Sequence, residues 1–109
     1  MLPKINRLKS DRDFRNVFKN GGTLENQLFR VKYLKNQKNA SRFGFIISAK
    51  ISKKATIRNF LKRRLRAVSR YLIKDLKPGF DIVVWPKKIS ITADYDNLAH
   101  RLQDLINKL

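Results

Sequence analysis

The stretch SDRDFRNVFKNGG, residues 10–22, has the hydrophobic pattern of a short helix. Phe14, Val17 and Phe18 lie at i, i+3 and i+4, the spacing of one helix face. The opening serine is followed three residues later by an acid, which resembles a capping box with Asp in place of the usual Glu or Gln. We expect the closing pair of glycines to end this helix.

Four later segments have the pattern of β-strands. Hydrophobic and basic residues alternate from Leu28 to Lys35, which predicts a strand with one face in the core and one in solvent. RFGFIIS, residues 42–48, is expected to form a more buried strand. DIVVW, residues 81–85, is hydrophobic on both faces and is expected to form an internal strand that ends at the following proline. A short edge strand is expected at Thr23-Leu24.

Two longer helices complete the predicted fold. One is expected over residues 56–74, and the other starts near Asp94 with leucines at 98, 102, 105 and 109. The strand–helix–strand run from Phe43 to Val84 predicts a parallel pair of strands with a helical crossover. We therefore expect one domain over residues 1–109, an α/β sandwich of a mixed four-stranded sheet and about three helices, ordered α-β-β-β-α-β-α.

The central helix has two distinct surfaces when its residues are placed at 100° intervals. The stripe expected to pack on the sheet comprises Ile57, Leu61, Leu65, Val68 and Leu72. The neighbouring arc of roughly 140° comprises Arg58, Asn59, Lys62, Arg63, Arg66 and Arg70. Like charges one turn apart destabilise a helix by about 0.2–0.5 kcal/mol per pair, and an ordinary solvated helix interleaves acids with bases. We interpret the arc as a phosphate-binding surface.

The net charge extends this interpretation to the whole chain. Its 26 Lys and Arg against 8 Asp and Glu give a charge of +18, which indicates an anionic partner. Fifteen of the basic residues and no acid lie between Glu25 and Asp75, so we expect one side to be far more positive. The absence of cysteine excludes disulfides and thiolate metal sites. Without a signal-peptide pattern or a membrane-spanning run, a cytoplasmic location is expected.

The sequence offers no set of residues for catalysis. His100 is the single histidine, which cannot form an acid–base pair or a metal site by itself, and we expect it on the surface. Asp11 and Asp13 point to different sides of a helix and do not form a metal pair. With no glycine-rich phosphate loop, zinc motif or nucleophile motif present, we expect no catalytic and no metal-binding residue, and chemistry supplied by a partner.

Residues 50–70, KISKKATIRNFLKRRLRAVSR, resemble the signature of the bacterial ribonuclease P protein family. The Arg-Asn-Arg helix motif of that family stands here as Arg58-Asn59-Phe60, followed by Lys62-Arg63 and Arg66, so Phe60 replaces the second Arg. RLKSDRDFRNVFKNG, RFGFIISAK and DIVVWPKK are similar to other family segments, and the resemblance covers nearly the whole chain. It implies a left-handed crossover, against the usual right-handed rule.

The resemblance further implies a protein that assembles with ribonuclease P RNA and assists Mg²⁺-dependent removal of the 5′ leader from precursor tRNA. Catalysis and most of the Mg²⁺ binding are then expected in the RNA subunit. The residues implied to contact this RNA are Lys50, Lys53, Lys54, Arg58, Asn59, Lys62, Arg63, Arg66 and Arg70. A cleft between the first helix and the sheet is implied to hold the leader, with Arg12, Phe14, Phe18, Arg30 and Lys32.

Two interpretations of Phe14 and Phe18 remain open at this point. Helical spacing alone favours burial in the core, whereas the resemblance favours a shared role in which the rings also form a cleft wall for unpaired bases. Lys32 stands about where the family often carries an aromatic residue. Trp85 is expected in the core or at a sheet edge rather than as a platform for a base.

Other classes of function remain to be weighed against ribonuclease P. A ribosomal-type RNA-binding protein would share the charge, the size and the lack of an active site, but it would not lower the Mg²⁺ needed for leader removal. A DNA-binding helix-turn-helix is disfavoured because strands closely flank the basic helix, so no DNA partner is expected. A membrane-surface helix is disfavoured because the sheet needs the hydrophobic stripe.

Overall fold

Nine secondary-structure elements follow one another in residues 2–74 and 76–109, the part of the chain that this computed structural model describes. They are a 3₁₀ turn (Lys4–Asn6), α1 (Asp11–Asn20), β1 (Gly22–Glu25), β2 (Phe29–Lys35), β3 (Arg42–Phe45), α2 (Ala55–Leu72), β4 (Phe80–Pro86), a second 3₁₀ turn (Lys88–Ile91) and α3 (Tyr95–Ile106). The predicted order α-β-β-β-α-β-α is confirmed. The 3₁₀ turns were not predicted.

The four strands form one mixed sheet in the order β1-β2-β4-β3. Strand β2 pairs antiparallel with both β1 and β4, and β3 pairs parallel with β4, with Phe43 opposite Ile82. The predicted parallel pair, the short first strand and the internal position of β4 are therefore confirmed. The left-handedness of the crossover stays a prediction.

Strand β3 ends earlier than its sequence suggests, at Phe45 instead of Ser48. The amide of Ile46 still donates to the carbonyl of Val84, at 3.0 Å. The next bond of a parallel ladder would come from the backbone nitrogen of residue 86 to the carbonyl of residue 46. Because that residue is Pro86, which has no N–H, the ladder cannot continue.

The sheet carries helices on both faces. Helices α2 and α3 cover the face formed by Phe29, Val31, Phe43, Ile82 and Val84, which is the larger part of the core. Helix α1 covers part of the opposite face, where Val17 packs with Leu8 and Val83. Because side chains alternate along a strand, Arg30 and Lys32 of β2 lie on the α1 face.

The starts of α1 and α3 follow from local capping. The Ser10 hydroxyl accepts hydrogen bonds from the amides of Arg12 and Asp13, at 3.2 and 3.4 Å, so the predicted N-cap of α1 is confirmed. The Asp13 carboxylate does not complete a capping box, because it pairs with Arg42 of β3 instead. The Asp94 carboxylate caps α3 by accepting from the amide of Asn97 at 2.8 Å, as its predicted start requires.

Two buried serines differ in how their hydroxyls are satisfied. Ser41 donates to the carbonyl of Lys77 at 2.7 Å and accepts from the amide of Phe80 at 3.0 Å. Ser69 lies on α2 and is 0% exposed, and its hydroxyl has no hydrogen-bond partner among the described residues. A buried hydroxyl without a partner destabilises the folded state.

We predict opposite effects for alanine at these two positions. Ser69→Ala should raise the free energy of unfolding by about 1 kcal/mol, because it removes an unpaired hydroxyl and introduces a better helix former. Ser41→Ala should lower it by about 1–3 kcal/mol, because it leaves a buried amide and carbonyl without their partner. Urea denaturation of both variants measures the difference. Equal destabilisation by the two changes would contradict this account of Ser69.

Candidate nucleic-acid interface

Helix α2 has the two surfaces that its sequence predicts. Leu61, Leu65, Val68 and Leu72 are at most 2% exposed, which confirms these four positions of the hydrophobic stripe, whereas Ile57 in the first turn is only half-buried. The residues of the basic arc, defined as Arg58, Asn59, Lys62, Arg63, Arg66 and Arg70, are all exposed or half-buried. Thr56, Asn59, Lys62, Arg63 and Arg66 line a shallow depression on the helix surface. The arc is therefore one continuous basic surface.

The start of α2 carries charges opposite to those that stabilise a helix. Its N-cap is Lys54, whose side chain makes no capping bond, and its first turn has no acidic residue. Lys50 and Lys53 lie exposed in the preceding turn. A helix N-terminus has a positive partial charge and favours acids, so these three cations oppose folding. A bound anion would remove this penalty.

Arg58 differs from the rest of the arc because it has a structural contact. One of its guanidinium nitrogens donates to the carbonyl of Ser52 at 2.7 Å. The hydroxyl of Ser52 accepts from the amide of Lys54 at 3.2 Å. Arg58 therefore also fixes the segment that leads into α2, a role that the helical wheel did not predict.

A groove of about 300 Å³ runs along the outer edge of β3 and joins the basic arc to α1. It is lined by Leu2, Arg7, Leu8, Lys9, Phe14, Phe43, Gly44, Phe45, Lys62 and Arg66. Four of these side chains are cationic and none is acidic. The rings of Phe43 and Phe45 are stacked, with centroids 6.2 Å apart and planes within 3°. The groove thus combines positive charge with aromatic surface.

Arg7 and Lys9 of this groove were missed by the sequence analysis. The amide of Leu8 donates to the carbonyl of Phe43 at 2.8 Å, which attaches the segment before α1 to the edge of β3. The Arg7 side chain also donates to the carbonyl of Leu2 at 2.7 Å. This segment has no helical or alternating pattern, and only its basic composition was a signal.

A second candidate surface, called here the α1–sheet cleft, lies where α1 meets the sheet and comprises Phe14, Phe18, Arg30, Lys32 and Trp85. Phe14 is half-buried and packs on Gly44, where a Cβ would come within 2.4 Å of the ring. Phe18 is 37% exposed, and its ring lies 6.2 Å from that of Phe14 and 5.3 Å from that of Trp85. Phe18 is therefore not a core residue, and a row of three rings lines the cleft.

Trp85 lies at the margin of the smaller hydrophobic cluster. It is half-buried on the α1 face of the internal strand β4, beside Phe18, and packs against the cluster of Leu8, Val17 and Val83, which agrees with the expected core position and not with a sheet edge. The alternation within DIVVW placed it on the same face as Val83.

Arg30 and Lys32 of β2 have different environments in the cleft. The Lys32 ammonium donates to the carbonyl of Phe18 at 3.2 Å, in the last turn of α1, where a cation is favoured by the helix dipole. Arg30 is exposed and lies opposite Trp85 in the strand register. Arg30 is thus the more accessible cation for an anionic ligand, whereas Lys32 holds the end of α1.

Arg12 is not brought into the cleft. It is exposed on the outer side of α1, where it borders a shallow depression together with Arg15, Asn16 and Lys19. At 100° per residue it points away from Phe14 and Val17, which face the sheet. Its assignment to leader binding stays a prediction that this position does not support.

Glu25 and Lys87 form an ion pair beside Arg30, at the end of the cleft. The Lys87 ammonium lies 2.7 Å from a Glu25 carboxylate oxygen, and Arg30 is opposite Glu25 in the register of β1 and β2. The hydrogen bond and charge of Lys87, with a smaller contribution from Arg30, lower the pKa of Glu25. Glu25 therefore stays ionised at neutral pH, and Lys87 was not singled out from the sequence.

Arg42 connects α1 to the sheet beneath it. Its guanidinium makes two bonds of 2.7 Å to the Asp81 carboxylate of β4 and one of 3.1 Å to Asp13 of α1. The side-chain amide of Asn36 also donates to the Asp81 carboxylate, at 2.8 Å. The bond to Asp81 is the main cause that raises the pKa of Arg42. These contacts fix the position of α1 and so the walls of the cleft.

Two general properties of the described residues bear on function. No helix in residues 2–74 and 76–109 is long and apolar enough to cross a membrane. The same part of the chain contains no group of three or more His, Asp or Glu side chains that could hold a metal ion. The protein is therefore a small basic α/β sandwich. Its positive charge, its groove and its cleft give it a surface that suits a polyanionic partner.

Comparison with known proteins identifies the family. A sequence profile described as "Ribonuclease P" matches residues 2–109. A "Ribonuclease P protein component" of a Synechocystis species is 38% identical over 98% of this chain and 87% of its own length, and one from a Pseudanabaena species is 35% identical over 99% and 94%. The structure of the RNase P protein from Thermotoga maritima superposes with a TM-score of 0.86, at 36% identity, over 94% of this chain and 96% of its own.

The chain belongs to the ribonuclease P protein family. The resemblance to this family and the expected fold class are thereby confirmed. A protein component of ribonuclease P implies ribonuclease P RNA as its partner.

Proposed function

We propose that this protein binds ribonuclease P RNA through the basic arc and holds the single-stranded 5′ leader of precursor tRNA in the α1–sheet cleft. The observation that carries this proposal is the groove at the β3 edge. Phe14 of the cleft and Lys62 and Arg66 of the arc line the same groove, so the two surfaces are joined. One nucleic-acid assembly can therefore contact both.

The basic arc is suited to the phosphate backbone of a structured RNA. Lys62, Arg63 and Arg66 line one depression without an acidic side chain among its lining residues, so their charges are not paired within it. Lysine and arginine that neutralise phosphates release counterions, and this release dominates affinity at low salt. Phosphates bound beside Lys50, Lys53 and Lys54 would likewise relieve the repulsion between cations at the start of α2.

The cleft is suited to an unpaired strand. Phe14, Phe18 and Trp85 present a row of rings, and each base that stacks on such a ring gains about 1–3 kcal/mol. Base faces are available in a single strand but are covered in a duplex. Exposed Arg30 beside the rings would meet a backbone phosphate of the leader, whereas Lys32 is held by the Phe18 carbonyl.

We place the hydrolytic step and the Mg²⁺ that it requires in the RNA subunit. The carboxylates of Asp13, Asp81 and Glu25 are already engaged, the first two with Arg42 and the third with Lys87. His100 is exposed on α3 and has no companion histidine in the sequence. The role of this chain is then to bind and orient the leader and to neutralise phosphate repulsion, which lowers the Mg²⁺ concentration that the holoenzyme needs.

A processing assay tests this function. We predict that the chain alone leaves precursor tRNA intact, that ribonuclease P RNA alone needs high Mg²⁺, and that the two together release the leader at low Mg²⁺. A ribosomal-type RNA-binding protein would bind the RNA without this effect. The function is wrong if the protein cleaves precursor tRNA without RNA, or if it leaves the Mg²⁺ requirement of the RNA unchanged.

The basic arc should contribute affinity through its charge. For Lys62→Ala and Arg66→Ala, we predict that the slope of log K against log[salt] for RNA binding flattens by about 0.7–0.9 each, with folding intact. Asn59→Ala should weaken binding without changing the slope, because an amide releases no counterion. Arg58→Ala should flatten the slope and also lower stability, because the contact with the Ser52 carbonyl is lost.

A cation on α3 provides the control for this series. Arg101 is exposed and pairs only loosely with Asp104, at 4.0 Å, so Arg101→Ala removes the same charge without touching the arc. It should leave the salt slope within error of the unaltered protein. A slope that changes as much for Arg101→Ala as for Lys62→Ala would show that net charge, and not the arc, governs binding.

Phe18 should discriminate between precursor and mature tRNA. Phe18→Leu keeps most of the side-chain volume and should cost less than about 1.5 kcal/mol of stability. In the holoenzyme it should weaken binding of precursor tRNA far more than of mature tRNA, because only the precursor carries leader bases to stack. Competitive binding of the two tRNAs to one variant measures the ratio. Equal weakening would remove Phe18 from the leader site.

A further inference from the structure

Phe60 is a large hydrophobic side chain on the surface of α2. It belongs neither to the basic arc nor to the hydrophobic stripe. It is 53% exposed, so it contributes little to the core. On the helical wheel it lies about 60° beyond Arg63 and about 60° from Ile57, between the end of the arc and the far edge of the hydrophobic stripe. It stands where the family signature has its second Arg, so this chain has an aromatic ring at that point of its basic surface.

The ring of Phe60 is held by a neighbouring cation. The central guanidinium carbon of Arg64, one turn later on the helix, lies 5.4 Å from the ring centroid. This is within the range of a cation–π contact. Arg64 itself is half-buried. The contact places the planar guanidinium over one face of the aromatic ring.

We propose that Phe60 and Arg64 form a platform on which an unpaired base of the partner RNA stacks. The proposal rests on the proposed function and adds a contact of a different kind, because the arc binds phosphates and this platform binds a base. An aromatic face stacks on any base, and an arginine plane adds a cation–π contribution. Unpaired bases in loops and bulges are the parts of an RNA that such side chains contact.

The charge around the platform favours RNA over a protein as its occupant. Residues 50–70 carry nine cations and no acid, which suits a polyanion and repels a second copy of this chain. The next exposed aromatic residue on α2, Tyr71, is eleven residues later, about 16 Å along the helix axis. A single ring isolated in this way is too small for a protein interface, whereas one base needs only one ring.

The test uses the full chain and ribonuclease P RNA at constant salt. Phe60→Leu should weaken RNA binding by about 5- to 100-fold, the equivalent of stacking one base. Its salt slope should be unchanged, because no charge is removed. Phe60→Tyr, which keeps the aromatic face, should bind within about twofold of the unaltered protein. Chemical probing of the bound RNA should show an unpaired nucleotide that becomes reactive in the Leu variant alone.

A matched control separates the platform from a general effect of removing an aromatic ring. Tyr95 at the start of α3 is 41% exposed, and Tyr95→Leu should leave RNA affinity unchanged. The thermal midpoint of Phe60→Leu should equal that of the unaltered protein, because the ring is largely in solvent. RNA affinity within twofold for Phe60→Leu would overturn the platform, as would equal losses in the Leu and Tyr variants.

The outcomes also separate this proposal from the proposed function. If the unaltered protein does not bind ribonuclease P RNA, the proposed function fails and the platform fails with it. If the unaltered protein binds the RNA and Phe60→Leu binds equally well, the platform alone is wrong. Unchanged RNA affinity together with an altered oligomeric state in Phe60→Leu would assign the ring to a protein contact and likewise overturn the platform.

Discussion

The ion-pair network around Arg42 is the constraint on which the candidate surfaces depend. Its guanidinium binds Asp81 with two bonds and reaches Asp13 with a third, so β3, β4 and α1 meet at one side chain that is 16% exposed. Removing one partner of a buried pair typically costs about 3–5 kcal/mol, because the other charge is left without compensation. The network therefore fixes how α1 lies over the sheet, and with it the width of the cleft.

The rest of the charge distribution works against the folded state. A net charge of +18 on 109 residues produces self-repulsion, and three lysines gather at the helix N-terminus where acids are favoured. A ligand that binds the folded chain and not the unfolded one stabilises it by mass action. For a protein component of ribonuclease P, the RNA would supply this stabilisation, so that folding and assembly are coupled through the same cations.

The cleft shows how similar residues acquire different roles through their surroundings. Phe14 and Phe18 are one turn apart on α1, yet Phe14 packs on Gly44, which has no side chain to displace it, while Phe18 stays open to solvent beside Trp85. Lys32 neutralises the carboxyl end of α1, and Arg30, two residues earlier on the same face, remains accessible. In the proposed function, the rings would bind leader bases and Arg30 a leader phosphate.

The sequence by itself determined the α-helices and β-strands, the fold class and the two surfaces of α2, because the periodicity of a helix or strand shows in the pattern of neighbouring residues. It also placed Phe14, Phe18, Arg30 and Lys32 on faces that the structure brings together. Only the tertiary structure decided that Lys32 is held by a carbonyl and that Arg7 and Lys9 reach the basic arc. Periodicity specifies which face of an element is buried. The partner that a face meets depends on contacts such as that of Arg42 with Asp81, 39 residues apart, which no local pattern encodes.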